Sequence, residues 1–319
     1  MRRFLTALAG ASLCATMAWT AGGTPPAAGA AADQGPGRDV LPSLVPNLVD
    51  YYDFEHPAAG DATRERDLGS GGTAIDLVNG GAAMRVHDGA YRTSSTSIQV
   101  RQVNPTAKGN DDWKAGVYSA SGVPTMHAFN HVHQVTIMGW VKMTGANPSP
   151  NTDSATPGDY YNAVGLVGVL TGDTDGHAVR ALLEIIDVNG PLRLVALGRR
   201  VDGSSSQTFA ANEDWHALLP QGEWVFLAAT FDYSTGEMAL YRDGRPLAGF
   251  YTLPGDPWGV QDGDGRSSAT DPRGIKIGGS FPQNNRERNP CDCRFDSLML
   301  LDRALTPGEV MAQYQLAVR

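Results

Sequence analysis

Cysteine is nearly absent, with three in 319 residues. Cys14 falls in the first apolar stretch, so only Cys291 and Cys293 remain beyond it. One pair separated by a single residue can stiffen a loop but cannot staple a domain. Charged residues are also scarce, at 18% against 41% hydrophobic. That balance excludes wholesale disorder and a coiled coil, and it supplies enough apolar material for a substantial core. Basic residues number 25 against 34 acidic. The deficit excludes nucleic acid as a partner, because counterion release needs a basic face. Beyond the first two dozen residues no run is long and apolar enough to span a membrane, so no span is expected in the mature protein. No internal repeat or second compositional regime divides the chain.

Turn formers are plentiful. Gly (38) and Pro (20) make up about 18% of the chain, against roughly 12% in typical proteins. At the N-terminus Arg2 and Arg3 precede an apolar stretch from Phe4 to about Ala21, followed by Ala28-Gly29-Ala30. This is the three-part layout of a secretory signal peptide, expected over residues 1–32. Its removal takes the net charge from −9 to −11 and leaves a secreted, extracellular protein, in which a Cys291–Cys293 disulfide is the default. Residues 33–45 read as a flexible linker, and residues 46–319 as one domain.

Within that domain, short apolar or alternating runs are punctuated by Gly, Asp, Asn and Pro. They cover residues 48–54, 83–87, 97–100, 132–143, 163–170, 178–186, 192–197, 224–231, 238–242, 274–277 and 295–301. Such runs predict many strands and almost no helix. Residues 171–176 join two strongly apolar runs, and Asp243-Gly244 is a type I′ hairpin signal. Along residues 135–142, Val135, Ile137, Gly139 and Val141 share one face, and Thr136, Met138, Trp140 and Lys142 the other. One helix is clear: Thr306-Pro307-Gly308-Glu309 supplies a hydroxyl cap, a proline at the first helical position and a glutamate three residues after the cap. The fold class is therefore all-β, an antiparallel β-sandwich with a short C-terminal helix.

Four blocks in order carry a resemblance. They are Tyr51-Tyr52-Asp53-Phe54-Glu55 with Asp67-Leu68-Gly69-Ser70-Gly71-Gly72; Val135-Thr136-Ile137-Met138-Gly139-Trp140-Val141-Lys142; Trp224 to Asp232 with Ala239 to Gly244; and Ile277-Gly278-Gly279 with Phe295-Asp296-Ser297-Leu298 and Asp302 to Val310. Together they resemble the laminin-G-like, concanavalin A-like lectin/glucanase jelly roll in its secreted bacterial form. The resemblance implies an extracellular carbohydrate or cell-envelope glycoconjugate as partner. It also implies structural calcium (Ca2+), carried onto Asp67, Asp296 and Glu55, whose oxygens suit a hard cation. Competing uses of the same fold are a glycan-cleaving enzyme, either a glycoside hydrolase or a polysaccharide lyase, and a protein-protein adhesion module.

No catalytic set emerges from spacing. The Glu-x-Asp-x-x-Glu strand of the glucanases is absent, and Glu184 and Asp187 fall on opposite strand faces. Lys114-Ala115-Gly116-Val117-Tyr118 echoes a strand of jelly-roll alginate lyases, but its partner strands are missing and no positive group to activate the tyrosine is evident. His127, His131 and His133 read as loop histidines lacking a closing ligand. The acidic pairs Asp173/Asp175 and Asp262/Asp264 read as solvated turns. A sugar-binding module needs aromatic platforms. Trp113, Trp215 and Trp258 stand in polar, loop-like contexts and are the ligand-binding candidates, whereas Trp140 and Trp224 read as core.

Overall fold

A computed structural model describes residues 36–103, 112–145, 147, 163–171, 179–201, 206–254, 267–279 and 291–319. The chain divides into two compact units, Met1–Gln34 and Gly35–Arg319. The first lies outside the described residues, and with it the signal expected over residues 1–32.

In chain order the strands are β1 (Leu48–Tyr52), β2 (Pro57–Ala58), β3 (Asp61–Glu65), β4 (Ile75–Val78), β5 (Arg85–Val86), β6 (Ser97–Val100), β7 (Lys114–Tyr118), β8 (Gln134–Met143) and β9 (Val164–Leu170). There follow β10 (Val179–Asp187), β11 (Leu192–Arg199), β12 (Ser206–Ala211), β13 (Trp224–Asp232), β14 (Glu237–Arg242), β15 (Arg245–Pro246), β16 (Gly249–Tyr251), β17 (Gly274–Ile277) and β18 (Cys293–Leu301). The helices are α1 (Ala128–His131), α2 (Trp215–Leu218) and α3 (Pro307–Ala317).

The strands pair into an eight-stranded sheet, β15-β14-β13-β8-β18-β6-β5 with β1 also on β18, and a ten-stranded sheet, β16-β12-β11-β10-β9-β17-β7-β4-β3-β2. The long central pairings β8–β13 and β8–β18 are antiparallel, as are those of β17 with β7 and β9. The antiparallel β-sandwich read from the sequence is the fold. The main core lies between the sheets, where Val135, Ile137 and Val141 of β8 meet Val164, Leu166, Leu183 and Ile275 of the other layer.

The other face of β8 is dry as well. Met138 and Trp140 join Phe226, Tyr241, Met299 and Val310 in a second buried cluster. Helix α3 covers it: Tyr314 packs 5.9 Å from both Trp140 and Phe226. The helix begins as expected, with Thr306 and Glu309 forming a reciprocal capping box. The predicted I′ hairpin is also present, Asp243 and Gly244 both having φ above zero, as that turn demands.

Two expectations are corrected. Residues 36–45, read as linker, are part of the fold: Val40 and Leu44 are buried in the second cluster, and Gln313 of α3 bonds the backbone of Leu41 and Asp39. Two apolar side chains four apart are enough to anchor a polar segment once a sheet face awaits cover. The run at residues 83–87 is a 3-10 turn leading into the two-residue β5. Strands β2, β3 and β12 carry too little apolar alternation to be read from the sequence. Cys291 and Cys293 are joined by a disulfide.

Candidate functional site

Of the three tryptophans expected to offer platforms, two pack inward. Trp215 opens α2, a single turn capped by the Asp214 carboxylate, which accepts from His216 N–H at 2.8 Å. That turn drops the indole into the main core, where it is 4% exposed, so Trp215 presents no face on which a sugar could stack. Trp113 immediately precedes β7 and shares the parity of the core-facing Ala115, so it packs against the core edge. The Arg101 guanidinium lies over its ring at 3.9 Å, in cation–π geometry. Trp258 lies outside the described residues, as do Asp173, Asp175, Asp262 and Asp264. Trp140 is in the core as expected, and Trp224 packs against the second cluster.

The three carboxylates carried over as calcium ligands are each bonded to protein donors, Glu55 and Asp296 through adjacent residues of one loop. Asp67 accepts from the backbone N–H groups of Tyr51 (2.7 Å), Gly69 (2.7 Å) and Thr73 (2.9 Å). Glu55 accepts from Ser95 N–H at 2.5 Å and Thr96 N–H at 3.2 Å. Asp296 is wholly buried and accepts from Ala90 N–H at 2.7 Å and Ser94 Oγ at 2.6 Å. Burial pushes its pKa up to about 7 against those donors. Among the described residues no three His, Cys, Asp or Glu side chains converge as a metal-binding group. Of the histidines, His127 and His131 stack with ring centroids 5.4 Å apart, but His127 pairs with Asp271 at 2.7 Å and His133 faces Ser234 and Ser267.

A polar strip emerges on the outer face of the ten-stranded sheet. Residues alternating with the core positions there are not uniformly solvated. Register places Lys276 of β17 between two glycines, Gly116 of β7 and Gly168 of β9. The row extends through Asp76 and Arg64 on one side and through Leu182 and Leu197 on the other. Strand spacing of about 4.8 Å makes this seven-strand row roughly 29 Å long.

Lys276 is 7% exposed, and no hydrogen bond or ion pair engages its ammonium among the described residues. Beside it Tyr118, Leu170, Leu182 and Leu197 form an apolar cluster. Lys114 and Glu184 occupy the same face, and both are buried. Asp187 is exposed at the end of β10, so Glu184 and Asp187 do not form a pair, in keeping with their odd spacing. Sequence reasoning passed over Lys276. The only local signal is a lysine in the apolar phrase Gly274-Ile275-Lys276-Ile277, and both its glycine neighbours come from strands more than 100 residues away in the chain.

The comparisons agree with this architecture. The family model Laminin_G_3, Concanavalin A-like lectin/glucanases superfamily, matches residues 115–311. A search of curated proteins finds no match. Among solved structures, the binding domain of botulinum neurotoxin DC, in complex with rat synaptotagmin II, has a TM-score of 0.51 at 11% identity, over 85% of this chain and 52% of that one. A botulinum neurotoxin type C structure, whose description states that cell entry depends on interaction with two ganglioside molecules, has a TM-score of 0.50 at 11% identity, over 87% and 53%. A Trypanosoma rangeli sialidase has a TM-score of 0.48 at 14% identity, over 84% and 33%. The chain therefore spans about a third of the sialidase and about half of the toxin chains. At these identities the likeness concerns the fold.

Proposed function

The chain belongs to the concanavalin A-like lectin/glucanases superfamily, and on that premise we propose that it is a secreted carbohydrate-recognition module whose contact surface is the outer face of the ten-stranded sheet. The observation that carries this reading is Lys276, held between two glycines beside Tyr118 and an aliphatic cluster. A sugar needs that mixture. Its C–H faces pack on apolar or aromatic surface, and its hydroxyls and any carboxylate seek hydrogen-bond donors. The glycines remove side chains that would otherwise stand between a saccharide and the ammonium. Extracellular glycan or cell-envelope glycoconjugate is the ligand class, and the signal layout at residues 1–32 supports export.

Binding to a broad glycan array tests the proposal, with gangliosides included because one is named for the type C toxin. Retention of a glycan by the wild-type chain and its loss in Lys276→Gln supports it. No retained glycan ends it.

One observation favours a second reading, glycan cleavage. Tyr118 stands opposite Gly274, so Lys276 is its diagonal neighbour on the adjacent strand, within reach of a long side chain. A positive group beside a tyrosine is what a tyrosine acid/base requires. Prolonged incubation of retained glycans with the wild type and with Tyr118→Phe separates the readings: products formed only by the wild type make the protein an enzyme.

A further inference from the structure

His127 and His131 are four residues apart, and the single helical turn α1 connects them. Side chains at that spacing stand on one face of a turn. Their rings accordingly meet, with centroids 5.4 Å apart and planes 24° apart. Two imidazoles on one tetrahedral ion have centroids roughly 5 Å apart, given a metal–nitrogen bond of about 2.1 Å. The observed separation fits that span.

The nitrogens are available as well. Asp271 Oδ1 accepts from His127 Nδ1 at 2.7 Å, so in the neutral ring Nδ1 carries the proton and Nε2 keeps its lone pair. A carboxylate on the far nitrogen is the arrangement that orients metal-ligating histidines and raises their basicity. His131 is exposed, and among the described residues neither of its ring nitrogens has a hydrogen-bond partner. A rotation about its χ2, a broad torsion in histidine, aims either nitrogen at the ion. His133 is committed to Ser234 and Ser267 and takes no part.

The pair is held before any ion arrives. Ser268 N–H donates to Asn130 O at 2.7 Å and Asn130 Nδ2 to Thr270 O at 3.1 Å, which ties the turn to the segment that carries Asp271. The wholly buried Arg180 donates to the carbonyls of Phe129 and Val132 and pins the turn from β10. On the other side Val123 N–H donates to Pro272 O at 2.7 Å. A Cβ at Gly122 would stand 2.8 Å from Asp271 Cβ, so the bare glycine makes room for the aspartate. These fastenings fix both rings and the orienting carboxylate, which lowers the ordering cost of binding.

We propose that His127 and His131, with Asp271 orienting His127, bind a divalent transition-metal ion, with water completing the coordination. Imidazole suits zinc and copper, whereas calcium takes oxygen ligands, so this site is chemically distinct from the calcium that the family resemblance implies. It makes no use of Lys276. The metal site and the glycan face can therefore fail separately.

The test titrates the full chain, stripped with chelator, with zinc chloride near neutral pH by calorimetry, with calcium chloride as control. Nitrogen NMR follows the imidazoles. The expected result is one zinc per chain, no heat with calcium, and His127 and His131 resonances that move together. His127→Gln and His131→Gln should each weaken zinc at least tenfold, and Asp271→Asn about tenfold with unchanged stoichiometry. Asp271→Asn should also mix the tautomers of His127, a signature that a purely structural role would not give. His131 is exposed, so its variant reports even if His127→Gln fails to fold. Absence of zinc binding overturns the proposal, as does zinc binding left unchanged by the histidine variants. Unaltered affinity and tautomer in Asp271→Asn overturn the role given to that carboxylate.

Discussion

The Lys276 side chain crosses directly over Gly168 of the neighbouring strand: a Cβ at that glycine would stand 3.1 Å from Lys276 Cε and 2.8 Å from Leu182 Cδ1. Gly168 is thus the bare position that lets a lysine lie across the sheet on the face proposed to meet the ligand. Gly168→Val is expected to displace both side chains. Overpacking of this kind costs about 1–3 kcal/mol, and affinity for any retained glycan should fall further than that of a control substitution of equal stability. Paired melting and binding curves check it.

Trp215 separates core from contact surface. Its indole is buried against the main core, so Trp215→Ala should cost about 3–5 kcal/mol by loss of burial and the cavity left behind. Glycan affinity per folded molecule should stay unchanged. Denaturant unfolding and array binding of the same preparation measure both. Selective loss of binding with wild-type stability would return Trp215 to the ligand surface.

Helix α3 is expected to be a cover for the second cluster rather than an appendage. Removing its cap with Thr306→Ala should cost about 1 kcal/mol. Tyr314→Ala, which strips the contact with Trp140 and Phe226, should cost more, about 2–3 kcal/mol, below the range for a fully buried aromatic because the ring is only half-buried. Chemical denaturation midpoints rank the two, and the reverse order would contradict the packing described.

The pH dependence has a definite sign. Burial raises Asp296 and Glu65 each to about 7, well above their ordinary carboxylate values. The folded state therefore holds protons that the unfolded chain releases between about pH 4 and 7. Stability from these groups is present below the unfolded values and is lost as the pH rises through 7. Glu309 acts oppositely in a lower window: Arg303 holds it at about 2, so its contribution is lost as the pH falls from about 4.5 toward 2. Asp296→Asn should flatten the decline between pH 4 and 7 in calorimetric melting temperatures. A wild-type melting temperature that rises across that interval would contradict the assignment.

What the sequence disclosed followed local rules. Alternation in residues 135–142 and the Thr306 cap each act within a few residues, so the β8 faces and α3 could be read directly. Trp215 could not be placed that way, because a one-turn helix after Glu213-Asp214 looks like an exposed loop until tertiary packing turns the indole inward. The Lys276 strip depends on register between strands distant in the chain. Asp296 stood out by resemblance, yet its donors lie some 200 residues away at Ala90 and Ser94, beyond any local pattern.

The most direct measurement is equilibrium binding of the purified mature chain to an array of neutral, uronic and sialylated glycans, run beside Lys276→Gln at matched stability. The account predicts a retained glycan for the wild type and at least a tenfold weaker signal for the variant, about the 1.4 kcal/mol of one charged hydrogen bond. A glycan held equally well by both proteins, or by neither, would contradict it.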